Sequence, residues 1–383
     1  MSNSPSKATI QAGVPQTNSA LFWKIQFSVG DPVAYITLPT KTVCIVRDVE
    51  LDRAREAVEA DEISVPADYT PDGGLSADRE VATAQAAAEC LQRNGVTTVT
   101  ADRTLPLSFA EVIGDAGITV GCDLAMGVLE RRQKSAAEID KLRHAQNITE
   151  DAIRLACEMI ARADTNADGT LVSGGGILTS ERVRAAVNIF LMQHGFSGPQ
   201  WIIAGGAHGA SCHHIGTGPL HTGQPVIVDI FPTDQKTHYC GDCTRTVVHG
   251  EIPDEIARMH ATVRQAKTNA IAAVRAGATG KDVHAATTKT IIGNGFAVVA
   301  PGDNSPETGP ALTHGTGHGI GLDVHEPPLL DPKGVGLLAG DVLTVEPGLY
   351  KVGLGGVRVE DMVVVTESGS ENLNRLPEGL DWA

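Results

Sequence analysis

Hydrophobic and polar positions fall into two regimes along this chain. Towards the front, short apolar runs at residues 33–38 and 43–47 read as strands, with 97–100 and 118–120 as further short ones. Between them, longer runs at 51–60 and 75–93 read as helices, the second closed by Asn94-Gly95. Alternation of this kind predicts a small α/β domain. It gathers no His, Asp and Glu at a site-like spacing, so it reads as a supporting domain.

Further along the pattern changes. Ser135 and Glu138 form a capping-box signature ahead of an amphipathic run through Ile139, Leu142, Ile148, Ile153 and Ile160. More helices are expected over 180–194, 254–276 and 281–292, followed by Gly195, Gly277 and Gly293 or Gly295. Strands are expected at 226–231, 238–248, 342–346 and 357–365. The fold class expected is therefore α+β, with a front domain at 20–133 and a larger domain at 134–383.

Length and composition agree with two domains: 383 residues, 42% of them hydrophobic, can bury a sizeable core. Residues 1–19 are polar and broken by Pro5 and Pro15, lack the apolar core of a secretory leader, and are expected to form a disordered tail. No run approaches the roughly 18 apolar residues of a membrane span, so neither a membrane nor an export route is expected and the location expected is cytoplasmic. A net charge of −16 argues against a nucleic-acid partner, which needs a clustered basic surface.

Seven cysteines spread over a long chain do not form a disulfide framework. Cys240-Gly-Asp-Cys243 has the spacing of a redox or zinc motif. Its continuation through Thr244, Thr246, Val247 and Val248 is strand-like rather than helical, and a second Cys pair is missing. Asp164-Thr-Asn166-Ala-Asp168-Gly169 copies the first half of a calcium loop, but the closing bidentate Glu is replaced by Gly175, which leaves a polar turn.

The strongest signal is two pairs of acids on apolar strands. Asp229 ends Val226-Ile227-Val228, and Asp242 lies in the next strand; a hairpin between them would set the two carboxylates opposite each other, with β-carbons about 4.5–5.5 Å apart. Glu346 and Glu360 repeat the arrangement about a turn centred near Gly353. Like charges placed so are destabilising unless a proton or a cation intervenes. Arg245, Arg358 or a lysine could supply that charge. The segment His314-Gly-Thr-Gly-His318-Gly-Ile-Gly-Leu-Asp-Val-His325-Glu326 offers a metal ligand directly, on a glycine-rich backbone. Four carboxylates and an imidazole make a hard site for two divalent ions, suited to manganese, cobalt, iron(II) or zinc.

At these residues the chain resembles the pita-bread metallopeptidases, the family of methionine aminopeptidase, aminopeptidase P and prolidase. Val228-Asp229, Asp242-Cys-Thr-Arg245-Thr, His318 to Glu326, Val345-Glu346-Pro-Gly and Gly356-Val-Arg358-Val-Glu360-Asp361 follow the order of the family's metal-bearing segments. The connection from Asp229 to Asp242 runs about two residues longer than is usual there. The resemblance implies a C-terminal pita-bread domain behind a creatinase/prolidase-like front domain. It implies one metal on Asp229 and Asp242, and a second completed by His318, Glu346 and Glu360, with Asp242 and Glu360 bridging.

It further implies His213, with His214 as the alternative register, and His325 as catalytic histidines, and Glu346 as proton relay. His314 and Arg358 would contact the substrate, and His208, His221, His238 and His249 are read as structural. The activity implied is hydrolysis of the first peptide bond of a peptide with proline second, by a metal-bridging hydroxide, in a manganese-loaded homodimer. The alternatives are a relative acting on a small metabolite and a catalytically dead peptide-binding scaffold.

Overall fold

Capping side chains set where the helices begin, and two-residue alternation sets which face of each strand is buried. Both are clear in the computed structural model, which describes residues 8–299 and 309–383. The described chain divides between Arg131 and Arg132 into two units.

The first unit is built on strands β1 (Thr9–Gly13), β2 (Val33–Thr37), β3 (Thr42–Ile45), β4 (Glu62–Ser64), β5 (Thr98–Asp102) and β6 (Thr119–Asp123). They form one sheet in the order β4-β3-β2-β1-β5-β6. Its helices are α1 (Ser19–Ile25), α2 (Leu51–Ala57), α3 (Arg79–Arg93) and α4 (Leu107–Asp115). Asn18 caps α1 and Asp78 caps α3 with their side-chain oxygens. Ala34, Ile36, Val43 and Ile45 face α3 and α4, whereas Val33, Tyr35 and Cys44 face α1 and α2. Helices on both faces explain why these strands are apolar throughout.

The tail expected over residues 1–19 is corrected here for residues 8–19; residues 1–7 lie outside the described residues. β1 is an interior strand, paired antiparallel with β2 and parallel with β5, and Ile10 and Ala12 are fully buried. Only two apolar side chains mark it, and the neighbouring strands supply the burial that a polar segment does not announce.

In the second unit α5 (Ala136–Ala161) opens on the Ser135–Glu138 capping box. Three short strands follow, β7 (Asp164–Thr165), β8 (Leu171–Ser173) and β9 (Gly176–Ile177). The half calcium loop is the turn between β7 and β8, with Asp168 Oδ1 accepting from Thr170 N. Next come α6 (Ser180–Gln193), β10 (Phe196–Ser197), β11 (Ile202–Gly205), β12 (Pro225–Ile230), β13 (Thr233–Asp234) and β14 (Cys243–Val248).

The remainder consists of α7 (Asp254–Ala273), α8 (Gly280–Gly293), β15 (Ala297–Val298), β16 (Ala311–Leu312), β17 (Gly317–Gly319) and β18 (Glu326–Leu330). It ends with β19 (Val342–Val345), β20 (Gly348–Lys351), β21 (Gly355–Arg358), β22 (Asp361–Val365) and β23 (Ser370–Asn372).

Helices α5 and α6 pack on the sheet β11-β12-β14 through Ile153, Cys157, Ile160, Val183 and Val187 against Val226, Val228 and Val247. The period of two then sends Ile227 and Asp229 to the other face. Helices α7 and α8 cover β19 and β22 in the same manner, with Ala270, Val274 and Val283 against Leu343, Val345, Val363 and Val365. Each acidic hairpin therefore has a helix pair behind it.

The first hairpin is not centred as expected. Asp229 stands opposite Thr244, so Asp242 lies two positions along, diagonal to Asp229 on the same face. The strand expected over 238–248 begins only at Cys243. The longer connection is the cause: β13 leaves to pair with β10, and Asp234 closes the next turn by accepting from Lys236 N and Thr237 Oγ1.

The second hairpin does turn about Gly353. Gly348 pairs with Arg358, and Val345 with Asp361, in one continuous register that sets Glu346 against Glu360. Between those two pairs the strands change sheet, from β20-β21 to β19-β22. The two glutamates sit at that break.

Candidate metal centre

Asp229, Asp242, His318, Glu346 and Glu360 all line one cavity of about 730 Å³ in the second unit. One ligand atom from each of Asp242, His318 and Glu360 lies within 4.8 Å of the others, and these three side chains are buried. His318 Nε2 is 3.8 Å from Asp242 Oδ2 and 3.6 Å from Glu346 Oε1. Its Nδ1 donates to Gly319 O at 3.1 Å, which leaves the Nε2 lone pair facing the acids. Gly317 and Gly319 bring this strand close: a side chain at either would collide with the carbonyls of Thr344 or Pro327. Their contribution is close approach rather than flexibility.

Backbone bonds fix the acids. Gln146 of α5 donates from Nε2 to Asp242 O at 2.7 Å and accepts from Asp242 N at 2.9 Å. Arg245 Nη1 donates to Glu360 O, Glu360 N donates to Thr244 O, and Glu346 N donates to Thr316 O. Arg245 also pairs with Asp361, which Lys267 of α7 bonds from the other side. Behind the cavity, then, lies a buried ionic network that holds β14 and β22 together.

The electrostatics of the cluster call for a cation. Burial, and then the charges of Glu360, Asp229 and Glu346, push the Asp242 carboxyl well above its ordinary range. Glu360 is raised for the same reasons, and burial brings Glu346 up to about 7. Arg358 supplies part of the neutralisation that the sequence allowed for: its Nη2 lies 2.5 Å from Asp229 Oδ2. Asp229 Oδ1 is buried and has no hydrogen-bond partner among the described residues. A buried carboxylate oxygen left in that state is costly. With three more acids and an imidazole lone pair beside it, the donor set fits a hard divalent ion.

Of the expected catalytic groups, His213 and His325 line the cavity, and the His325 ring lies 4.3 Å from that of His318. His214 instead stacks on His208 and accepts from Gly216 N through Nδ1. His314 and Arg358 also line the cavity, with their nitrogens engaged by protein. His314 Nδ1 donates to Gly315 O, so Nε2 accepts from Tyr350 Oη at 2.8 Å. Burial and the neighbouring Arg358 bring the His314 imidazole down to about 3, which keeps it neutral. Arg358 donates to Tyr350 Oη, Thr244 Oγ1 and Cys212 O besides Asp229.

Three residues of this arrangement were missed in the sequence. Tyr350 links Arg358 to His314, Thr244 donates from Oγ1 to Glu360 Oε2 at 2.7 Å, and Gln146 clamps Asp242. Thr244 had a signal, since it faces Asp229's side of the sheet two places after Asp242. Gln146 and Tyr350 had none, being remote in the chain from the groups they bond.

Cys240 and Cys243 are free, buried thiols, and burial raises both. Cys240 bonds Thr233 and Leu322 O, while Cys243 accepts from Arg245 and Asn374. Among the described residues no helix is long and apolar enough to cross a membrane.

Comparison with known proteins fits this geometry. "Probable dipeptidase PepE" of Mycobacterium tuberculosis is 34% identical over 244 residues, 63% of this chain and 61% of that protein. "Xaa-Pro dipeptidase" of Pyrococcus furiosus is 30% identical over 234 residues, 60% of this chain and 62% of its own length. The chain thus spans less than two thirds of either relative. Among solved structures, "Xaa-Pro dipeptidase from Bacillus anthracis" superposes with a TM-score of 0.80 at 23% identity, covering 98% of this chain and 94% of that one. That likeness gives the pita-bread fold. The profile of metallopeptidase family M24 matches residues 140–367, more than half of the chain and all of the cluster, and the chain belongs to that family.

Proposed function

We propose that this protein is a dinuclear metallo-exopeptidase that removes the first residue of peptides carrying proline in second position. The observation that carries the reading is the buried cluster of Asp242, His318 and Glu360, with Glu346 and the unpartnered oxygen of Asp229 on the same cavity. Asp229 would help hold one metal and His318 and Glu346 the other, with Asp242 and Glu360 shared by both. Bound divalent ions supply an acidified water and a Lewis acid for the scissile carbonyl.

The protein's own groups do the rest. His213 and His325 donate hydrogen bonds to the carbonyl oxygen as charge develops on it. Glu346 takes the proton released by the attacking water and passes it to the leaving nitrogen. The acids favour a substrate's free ammonium group, which supports action at the amino terminus. His314, Tyr350 and Arg358 form a wall whose polar atoms are already satisfied, against which the substrate lies. A cavity of about 730 Å³ is the size of a small-ligand site. The proline preference is supported by the name of the Pyrococcus relative, an Xaa-Pro dipeptidase, and by the segment around Arg358.

Manganese is the metal we favour, because the donors are mainly oxygen. The homodimer rests on resemblance to the family and is checked by light scattering. A cytoplasmic location is supported by seven free thiols.

Hydrolysis of Xaa-Pro dipeptides, Xaa-Pro oligopeptides and proline-free controls, with manganese added, tests the reading. Cleavage before proline that stops on chelation and returns with the metal is expected. Metal-loaded protein that turns over none of the panel would overturn it in favour of a metabolite substrate or a binding scaffold.

A further inference from the structure

Lys134 and Glu326 form an ion pair that the chemistry above does not use. Lys134 Nζ lies 3.1 Å from Glu326 Oε2, and both side chains are 3% exposed. Neither lines the cavity. A buried pair of this kind contributes little to stability compared with apolar side chains of similar size, so its presence here points to another role.

That role is in the loop it closes. Glu326 opens β18, and its Oε1 accepts from the backbone N–H groups of Leu322 at 3.1 Å and Asp323 at 3.2 Å. Residues 320–325, which join β17 to β18, are thereby folded back onto the carboxylate of the residue that ends them. Gly321 packs against both partners, where a side chain would press on Glu326 Oε1 and Oε2 and on Lys134 Cε. Gly321 O also accepts from Cys240 N, and Lys134 N donates to Gly340 O. The loop carries His325 at its end, next to Glu326, with its ring against that of His318. His325 is exposed, so beyond that ring contact its position depends on the conformation of its loop.

We propose that Lys134 and Glu326 are positioning residues that fix the 320–325 loop so that His325 is presented to the reacting carbonyl. Glu326 ties the loop with two backbone bonds, and Lys134, paired with its other oxygen, holds the carboxylate in place. This rests on the peptidase reading only in so far as His325 acts in turnover; the ordering of the loop does not depend on it.

Two measurements on the manganese-loaded protein test it. In turnover of an Xaa-Pro peptide, Lys134→Met should lower kcat by about 10- to 100-fold with KM and bound metal unchanged, and Lys134→Arg should recover most of the loss. In a His325→Ala background the same Lys134→Met change should cost less than about twofold, because the group it positions is gone. Hydrogen exchange read by mass spectrometry should show faster exchange of the 320–326 segment in Lys134→Met and not in Lys134→Arg.

Equal losses in both backgrounds, or exchange unchanged in Lys134→Met, overturn the proposal. Should Lys134→Met fail to fold, Glu326→Gln, which keeps an oxygen for the two amides but loses the charge, is expected to give the same pattern. A wild-type protein without peptide turnover would contradict the proposed function instead, and the exchange measurement would still decide the loop.

Discussion

His213 and His214 are adjacent in the chain and part company in space. His213 faces the cavity, and His214 stacks on His208 with its Nδ1 occupied by Gly216 N. A hydrogen-bond donor to the developing oxyanion is commonly worth about 100- to 1,000-fold in kcat. His213→Ala should therefore lower kcat by about that factor with bound metal unchanged, while His214→Ala should stay within about threefold on the same peptide. The reverse order, measured by steady-state kinetics, would move the catalytic role to His214.

Single side chains also show where reading the sequence stopped. Asp229, Asp242, Glu346 and Glu360 could be picked out because two-residue alternation makes an acid on an apolar strand conspicuous, and His318 because it sits with two other histidines in a glycine-rich segment. Gln146 and Tyr350 could not, because a glutamine within a helix and a tyrosine within a strand are ordinary there. Only the contact with Asp242, 96 positions away, or with His314, 36 away, gives them a role.

At the scale of elements, α5 does more than cover a sheet. Its Gln146 satisfies both backbone groups of Asp242, so Gln146→Ala leaves a buried N–H and a buried C=O unpaired. The expected cost is roughly 1–3 kcal/mol of stability by urea unfolding. Metal affinity by calorimetry should weaken about 10- to 100-fold, as when outer supports of metal ligands are removed. A variant that lost stability but bound metal as tightly as wild type would show that Asp242 needs no such clamp.

Helix α7 carries a pH dependence of its own. His260 is buried and donates from Nε2 to Glu378 O at 2.7 Å, and burial brings its imidazole down to about 4 from 6.5. Between those two values the unfolded chain takes up a proton that the folded chain refuses, so stability falls as pH falls through that window. The loss is complete below the folded value, and its size is roughly 3 kcal/mol at about 1.4 kcal/mol per pKa unit. His260→Gln should show a flatter decline between pH 6.5 and 4 than wild type when unfolding is followed across that range. Parallel declines would remove His260 as the source.

The hairpins show how far element-level reading carries. The turn about Gly353 was readable because glycines mark it and the strands on either side keep one register. What could not be read was the change of sheet at Glu346 and Glu360, which depends on strands far away in the chain. The first hairpin was misplaced because Asp234 builds its own turn and β13 is drawn off to β10. Neither event leaves a mark in the hydrophobic pattern. In the same way β1, with two buried apolar side chains, is a strand only because β2 and β5 flank it.

At the scale of the whole molecule, the second unit places two helix-backed hairpins so that their acids and His318 share one cavity. Membership of family M24 accounts for the order of the segments, and the unpartnered oxygen of Asp229 accounts for why they need a cation. The most direct test is an anomalous difference map, collected at the manganese absorption edge from crystals of the manganese-loaded protein. The account predicts two peaks in the cavity, about 3.5–4 Å apart, with Asp242 and Glu360 between them. A single peak, or none beside Asp242, His318 and Glu360, would contradict it.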